Sequence, residues 1–270
     1  MNFNNCIRIM KKDWKGTIKR KEILLPMILL PILFTLVMPI LMMMGVMIDP
    51  EGMSSDFGEI DELFILLEIP KHYNNVLKYS IFMIKLMILP FFLMIPAIIP
   101  VIIASDSFAG EKERKTMESI ALLPVSKMEL IIGKIITAFI PSIIITFACF
   151  GLLGVIMNLM LLDYLEGFLL IFSDLSFILV CFLLSPLLAF LNIMIGTIIS
   201  SRTKDLKSAQ SIGGILIMPA MAVLFVQMFN PAFLSPSVIL IISLVIGGLC
   251  IIFIDIANRM LDIERLILTL

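Results

Sequence analysis

Few residues in this chain have both the type and the spacing that catalysis needs. The single histidine, His72, has no second imidazole to join it, so metal hydrolysis of the H-E-x-x-H kind has no donor set. Cys6, Cys149, Cys181 and Cys250 lack metal-ligand spacing, and the last three lie in apolar runs where a thiol behaves as a small hydrophobe. No G-x-x-x-x-G-K-[ST] phosphate loop occurs. Gly133-Lys134 is the nearest match, and it has neither the upstream glycine nor a preceding strand. The apolar stretches hold no serine with a base and no facing aspartates. Asp56, Glu59, Asp61 and Glu62 lack the alternating oxygens around a turn glycine that a calcium loop uses, so they are expected to form a solvated acidic face. The chain is therefore predicted not to be an enzyme, with no catalytic, cofactor or metal residue assigned.

The elements that must position the remaining polar groups are apolar. Of 270 residues 60% are hydrophobic and 15% charged, whereas a soluble domain has about a quarter charged. The apolar residues fall in six blocks, 23–48, 81–104, 135–162, 177–200, 211–229 and 237–254, each near the length a bilayer crossing needs. Only Lys85 places a charge inside them. The first block is too long for a cleavable signal and lacks a small-residue cleavage pattern, so it is expected to remain as an anchor. The predicted fold is an all-α integral membrane protein: residues 1–22 form a cytoplasmic amphipathic interfacial helix and 23–270 a six-span transmembrane domain.

The net charge of −1 hides a strong asymmetry. The stretch to Glu22 holds seven Lys and Arg, Ser105 to Lys134 five, Ser201 to Gln210 three and the tail after Ile254 two, against two in the other three loops. Positive residues gather on the cytoplasmic side. This predicts a cell-membrane protein with both termini in the cytosol and an even number of crossings. No footprint for nucleic acid is present.

From Phe3 to Arg20 the apolar residues Phe3, Ile7, Met10, Trp14 and Ile18 recur at helical spacing, with Arg8, Lys11, Lys12, Lys15 and Lys19 on the other face. The expected placement is on the inner leaflet, with Trp14 at headgroup depth; docking on protein is the alternative. In the outer loop Phe57, Ile60, Phe64 and Leu67 share a helical face until Pro70, predicting a short surface helix. Lys85 is placed near the outer surface, where its amine can snorkel. With Asn158 and Asn192 it is a possible substrate contact, although the asparagines are more simply interhelical hydrogen-bond positions. Prolines punctuate the blocks, among them Pro90, Pro96, Pro100 and Pro141, and predict kinks that can absorb motion.

Between spans two and three the sequence predicts a short, charged, amphipathic helix from Glu111 to Leu123, ended by Pro124, with Met117, Ile120, Ala121 and Leu123 or Leu122 to one side. Ser126 and Glu129 then make a capping box that opens span three. A small apolar ridge flanked by charge suits a partner's groove.

The stretch Ser107 to Lys134, SFAGEKERKTMESIALLPVSKMELIIGK, resembles the segment between spans two and three of ABC-2 type transporter permeases. Glu111, Glu113, Arg114, Thr116, Glu118, Pro124, Ser126, Glu129, Gly133 and Lys134 occupy the matching places, with Lys115 where glycine is frequent. The match is local, about a tenth of the chain, but the order of parts also agrees. The resemblance implies the membrane subunit of an ATP-driven transporter, usually an exporter, working as a dimer with a second permease copy or homologue and with separate P-loop ATPase subunits that carry the ATP and Mg. It implies a coupling helix seated in the ATPase through Glu111, Glu113, Arg114, Thr116, Met117, Glu118, Ile120, Leu123 and Pro124. The amino-terminal helix, through Ile7, Lys11, Trp14 and Ile18, would be the connecting helix.

A dehydrated sodium ion prefers charged oxygens, which the six blocks do not offer, whereas a Met-, Ile- and Leu-rich interior suits an apolar or amphiphilic substrate. The alternative function is an ion or drug secondary carrier that needs no ATPase.

Overall fold

The computed structural model describes residues 3–49, 60–116, 125–165, 169–203 and 205–260. Among these the chain is helical without strands, and six helices are long and apolar enough to cross a membrane. They are spans one to six: Lys21–Ile48, Asn75–Glu113, Met128–Met160, Leu175–Arg202, Leu206–Phe229 and Pro236–Ile254. Span two overruns its apolar block at both ends, and the overrun brings Asp106, Glu111 and Glu113 into the helix. Span three opens on the expected capping box, with Glu129 N–H donating to Ser126 Oγ and Ser126 N–H to Glu129 Oε2.

Span two is the axis of the bundle. Its central window is 83% buried, against 17% for spans five and six. Ile88, Phe92 and Ile99 of span two pack with Leu153 and Met157 of span three and Val180 and Ile193 of span four. Leu244 and Ile251 of span six face outward, where lipid tails are as apolar as the side chains.

Four π turns interrupt the spans: Leu33–Val37, Ile84–Ile88, Asp106–Gly110 and Val180–Leu184. Three end two residues before a proline, Pro39, Pro90 and Pro186. A proline ring clashes with the carbonyl four residues back, and widening the preceding turn moves that carbonyl away. The fourth turn, Asp106–Gly110, has no proline. There a side chain from another span enters the helix.

A missing proline N–H also leaves a carbonyl without its backbone partner, and three such carbonyls are filled from other elements. Pro141 frees Thr137 O, which accepts from Trp14 Nε1 at 3.0 Å. Pro100 frees Pro96 O, which accepts from Asn192 Nδ2 at 3.2 Å. In the π turn before Pro90, Leu89 N–H bonds Ile84 O. Lys85 O is therefore left to Gln227 Nε2 at 3.1 Å. Unsatisfied backbone groups are costly away from water, so each donor holds two elements together.

The amino-terminal helix spans Phe3–Lys19. It docks on span three: Ile9 packs on Leu130, and Asn5 Nδ2 donates to Glu129 Oε2 at 3.0 Å. A Cβ at Gly133 would stand 2.9 Å from Ile9 Cβ and 3.2 Å from Cys6 O, so only glycine allows this approach. Phe3 and Ile18 remain exposed. Between spans one and two a helix covers Ile60–Leu66, with Phe64 and Leu67 buried against Val46 and Phe82. It ends before Pro70, at Glu68, whose φ is 56°; Asp56, Phe57 and Glu59 lie outside the described residues.

Candidate functional site

The residues Glu111 to Arg114 finish span two, and Glu111, Lys112 and Glu113 bond other elements. Glu111, expected on an outward charged face, is turned inward and is 5% exposed. Its Oε2 accepts from Lys134 Nζ of span three at 2.5 Å and its Oε1 from Lys12 Nζ of the amino-terminal helix at 3.3 Å. Lys112 Nζ donates to Ser201 O at 2.7 Å and Thr203 O at 3.4 Å, where span four ends and carries its negative dipole. Glu113 Oε2 accepts from Leu206 N–H at 2.9 Å, the first amide of span five. Arg114 Nη1 reaches back to Asp106 Oδ1 at 2.8 Å, an oxygen it shares with Arg20 at the start of span one. One short segment thus ties down the amino-terminal helix and spans three, four and five, and Asp106 one turn earlier holds Arg20 at the start of span one.

Two small residues make the arrangement possible. Gly110 lies between Asp106 and Arg114 on the helix, and a Cβ there would fall 2.1 Å from Asp106 Oδ1, so glycine lets the pair meet across it. Ser200 of span four donates its hydroxyl to Ser105 O at 2.6 Å and accepts from Phe108 N–H at 3.1 Å and Ala109 N–H at 2.9 Å. It stands where the Ala109-to-Ser105 helical bond would run, which accounts for the π turn. Lys134, almost fully buried, also donates to Ser107 O and lies 4.7 Å over the Phe108 ring. At span five Asp205 accepts from Ser208 N–H at 2.8 Å and from the Ser208 hydroxyl. These bonds hold its carboxyl below the usual carboxylate range.

The helix predicted from Glu111 is, at that residue, the end of span two. Thr116 N–H donates to Glu111 O and Lys115 N–H to Lys112 O, both at 3.0 Å, the two bonds of a Schellman stop. Lys115 takes the left-handed position with φ 55°. Glu113 to Thr116 are exposed; Met117, Glu118, Ile120, Leu123 and Pro124 lie outside the described residues. Among the described residues the other non-glycine with positive φ, Glu68, stops its helix the same way through Ile69 N–H to Phe64 O and Glu68 N–H to Ile65 O.

The chain matches the family model described as ABC-2 family transporter protein over residues 7–236, from within the amino-terminal helix to the first residue of span six. It belongs to the ABC-2 transporter family. This ABC-2 chain matches no curated protein. Members of the family are typically non-catalytic membrane subunits. Among the described residues no group of three or more His, Cys, Asp or Glu is placed to hold a metal ion.

In the ABC-2 protein the other predicted residues separate. Ile7 and Trp14 are half-buried, while Lys11 and Ile18 are exposed. Trp14 is anchored to span three. Lys85 lies ten residues into span two, and its Nζ pairs with Asp174 Oδ2 at 3.1 Å. Asp174 also caps span four by accepting from Ser176 N–H at 2.8 Å. Asn158 Oδ1 accepts from Leu170 N–H at 3.0 Å, so it fastens the loop after span three. Asn192 repairs the Pro100 break and is not joined to Lys85 or Asn158 in one site.

Sequence reasoning missed Asp106, Arg20 and Ser200. Asp106 stands just past the apolar block, where hydropathy ends a span, yet the helix continues because its charges find partners inside the protein. A signal was present in spacing: Asp106, Gly110 and Arg114 recur every four residues on one helical face.

Proposed function

We propose that the chain is the permease subunit of an ATP-driven exporter, moved by a separate P-loop ATPase that engages the segment after span two. The observation that carries this reading is the distribution of Glu111, Lys112 and Glu113 over the amino-terminal helix and spans three, four and five, with Arg114 joined through Asp106 to Arg20 at the start of span one. A push on the exposed Glu113, Arg114 and Thr116, and on Met117, Glu118, Ile120, Leu123 and Pro124 beyond them, reaches all of those elements through short polar contacts. Glu111 acts from behind that surface by fixing its base. Ile7, Lys11, Trp14 and Ile18 belong to a connecting helix that moves with span three.

The seventeen-to-two partition of Lys and Arg supports cytoplasmic termini and a cytoplasmic docking segment. The broad outward apolar faces of spans five and six suit a second permease copy or homologue as well as lipid. The 21 methionines and the aliphatic span interiors favour an apolar or amphiphilic substrate. ATP and Mg belong to the partner ATPase. The π turn around Ser200 and the proline turns supply flexible points at which the spans rock.

The test is a pull-down of the tagged full chain from mild detergent, wild type against Met117→Asp/Ile120→Asp. A P-loop ATPase recovered with wild type and lost with the variant is expected. Absence of any such ATPase from folded protein, or equal recovery with the variant, would overturn the reading and leave an autonomous carrier.

A further inference from the structure

The charge cluster borders a cleft of about 270 Å³ whose wall holds Lys12, Arg20, Arg114 and Lys134 together with Asp13, Asp106 and Glu111. Four cations meet three carboxylates, so one positive charge is uncompensated. Arg20 and Arg114 share a single carboxylate oxygen, and each guanidinium carries five N–H donors, more than that oxygen can accept. Ser107, on the same wall, has a hydroxyl with no hydrogen-bond partner among the described residues.

Next to the charged cleft runs an apolar groove of about 250 Å³, lined by Trp14, Ile18, Met27, Ile28, Ile144 and Ile145. Thr17, Ile103 and Thr137 form a common wall to both. Ile18, Ile28 and Ile144 are 55%, 44% and 55% exposed, so the groove opens sideways. Ile28 and Ile144 belong to spans one and three, hence the opening faces hydrocarbon. A net-positive cleft that shares a wall with a laterally open apolar groove has the form of an amphiphile, polar end and tail.

We propose that this composite cleft binds an anionic phospholipid of the adjacent leaflet, with its phosphate beside Arg20, Arg114 and Lys12 and an acyl chain along Ile28 and Ile144. A soluble phosphate uses the polar half alone and leaves the groove unfilled, whereas a lipid occupies both. Seated there, the lipid fastens the amino-terminal helix to spans one and three at the foot of span two. The site follows from the fold and does not depend on ATP coupling.

Gly16 on the cleft wall provides the test, because the nearest atom to an added Cβ is Arg20 Nη2 at 3.6 Å. Gly16→Glu supplies the missing negative charge, and Gly16→Gln adds the same bulk without it. The purified, delipidated full chain, its helicity checked by circular dichroism, is mixed with equal dioleoyl-phosphatidylglycerol and dioleoyl-phosphatidylcholine, and retained lipid is counted by native mass spectrometry. Wild type and Gly16→Gln are expected to favour phosphatidylglycerol about fivefold, the factor given by one uncompensated cation at a membrane surface. Gly16→Glu is expected to lose the preference, and Ile28→Trp to retain less of both lipids. Equal retention by wild type, an unchanged preference in Gly16→Glu, unchanged retention in Ile28→Trp, or displacement of the lipid by inorganic phosphate would each overturn the proposal.

Discussion

Trp14 Nε1 donates to Thr137 O at 3.0 Å, and Thr137 O is the carbonyl that Pro141 leaves without a backbone partner. The amino-terminal helix is therefore held to span three by a break in span three itself. Trp14→Phe keeps the ring but loses the donor, and should destabilise the protein by about 1–2 kcal/mol. In a Pro141→Ala background the restored N–H at position 141 reclaims the carbonyl, so the same Trp14→Phe change should cost clearly less. A double-mutant cycle on thermal unfolding in detergent checks this; equal costs in both backgrounds would show that Trp14 acts through packing alone.

The Lys134–Glu111 pair is nearly inaccessible to solvent at 2.5 Å. Removing Lys134 leaves the buried Glu111 carboxylate with only the longer contact to the exposed Lys12, so Lys134→Met should cost up to about 3–5 kcal/mol. Lys134→Met with Glu111→Leu should recover much of that loss, since an apolar replacement of both partners leaves no buried charge. Chemical denaturation of the reconstituted protein measures it, and a double variant as weak as the single one would contradict the assignment.

Gly133→Ala should undock the amino-terminal helix, because the new methyl group meets Ile9 and the carbonyl of Cys6. Trypsin cleavage at Lys11, Lys15 and Lys19 should accelerate severalfold in this variant. Cleavage at the wild-type rate would mean that the close approach is not what holds the helix.

Lys115 occupies a left-handed position with φ 55° at the end of span two. Side chains are disfavoured there by roughly 1 kcal/mol. Lys115→Gly should therefore raise the thermal midpoint, and Lys115→Val should lower it because a β-branched side chain fits that region worst. A loss of stability in Lys115→Gly would indicate that the lysine side chain contributes more than the backbone costs.

The sequence by itself determined the parts. Hydropathy gave six spans within a few residues, except where Asp106 and Glu111 continue span two past its apolar block. Helical spacing gave the amino-terminal helix, and Ser126 with Glu129 gave the start of span three, because capping and periodicity are set by residues within a turn or two of each other. The family segment was also legible, including Lys115 in a place where glycine is frequent, which the left-handed backbone there explains.

Only the tertiary structure decided which way the charges turn and what the prolines are for. Trp14 meets Thr137 across 123 residues, Asn192 meets Pro96 across 96, and Gln227 meets Lys85 across 142. A proline announces a freed carbonyl in the sequence, but the donor that satisfies it is chosen by how the spans pack. In the same way the motif looked like an outward charged face, since charges on a local pattern are expected to seek water. Glu111 and Lys112 turn inward because Lys12, Lys134 and the end of span four converge on the foot of span two, and partners brought together by packing replace the water those charges give up.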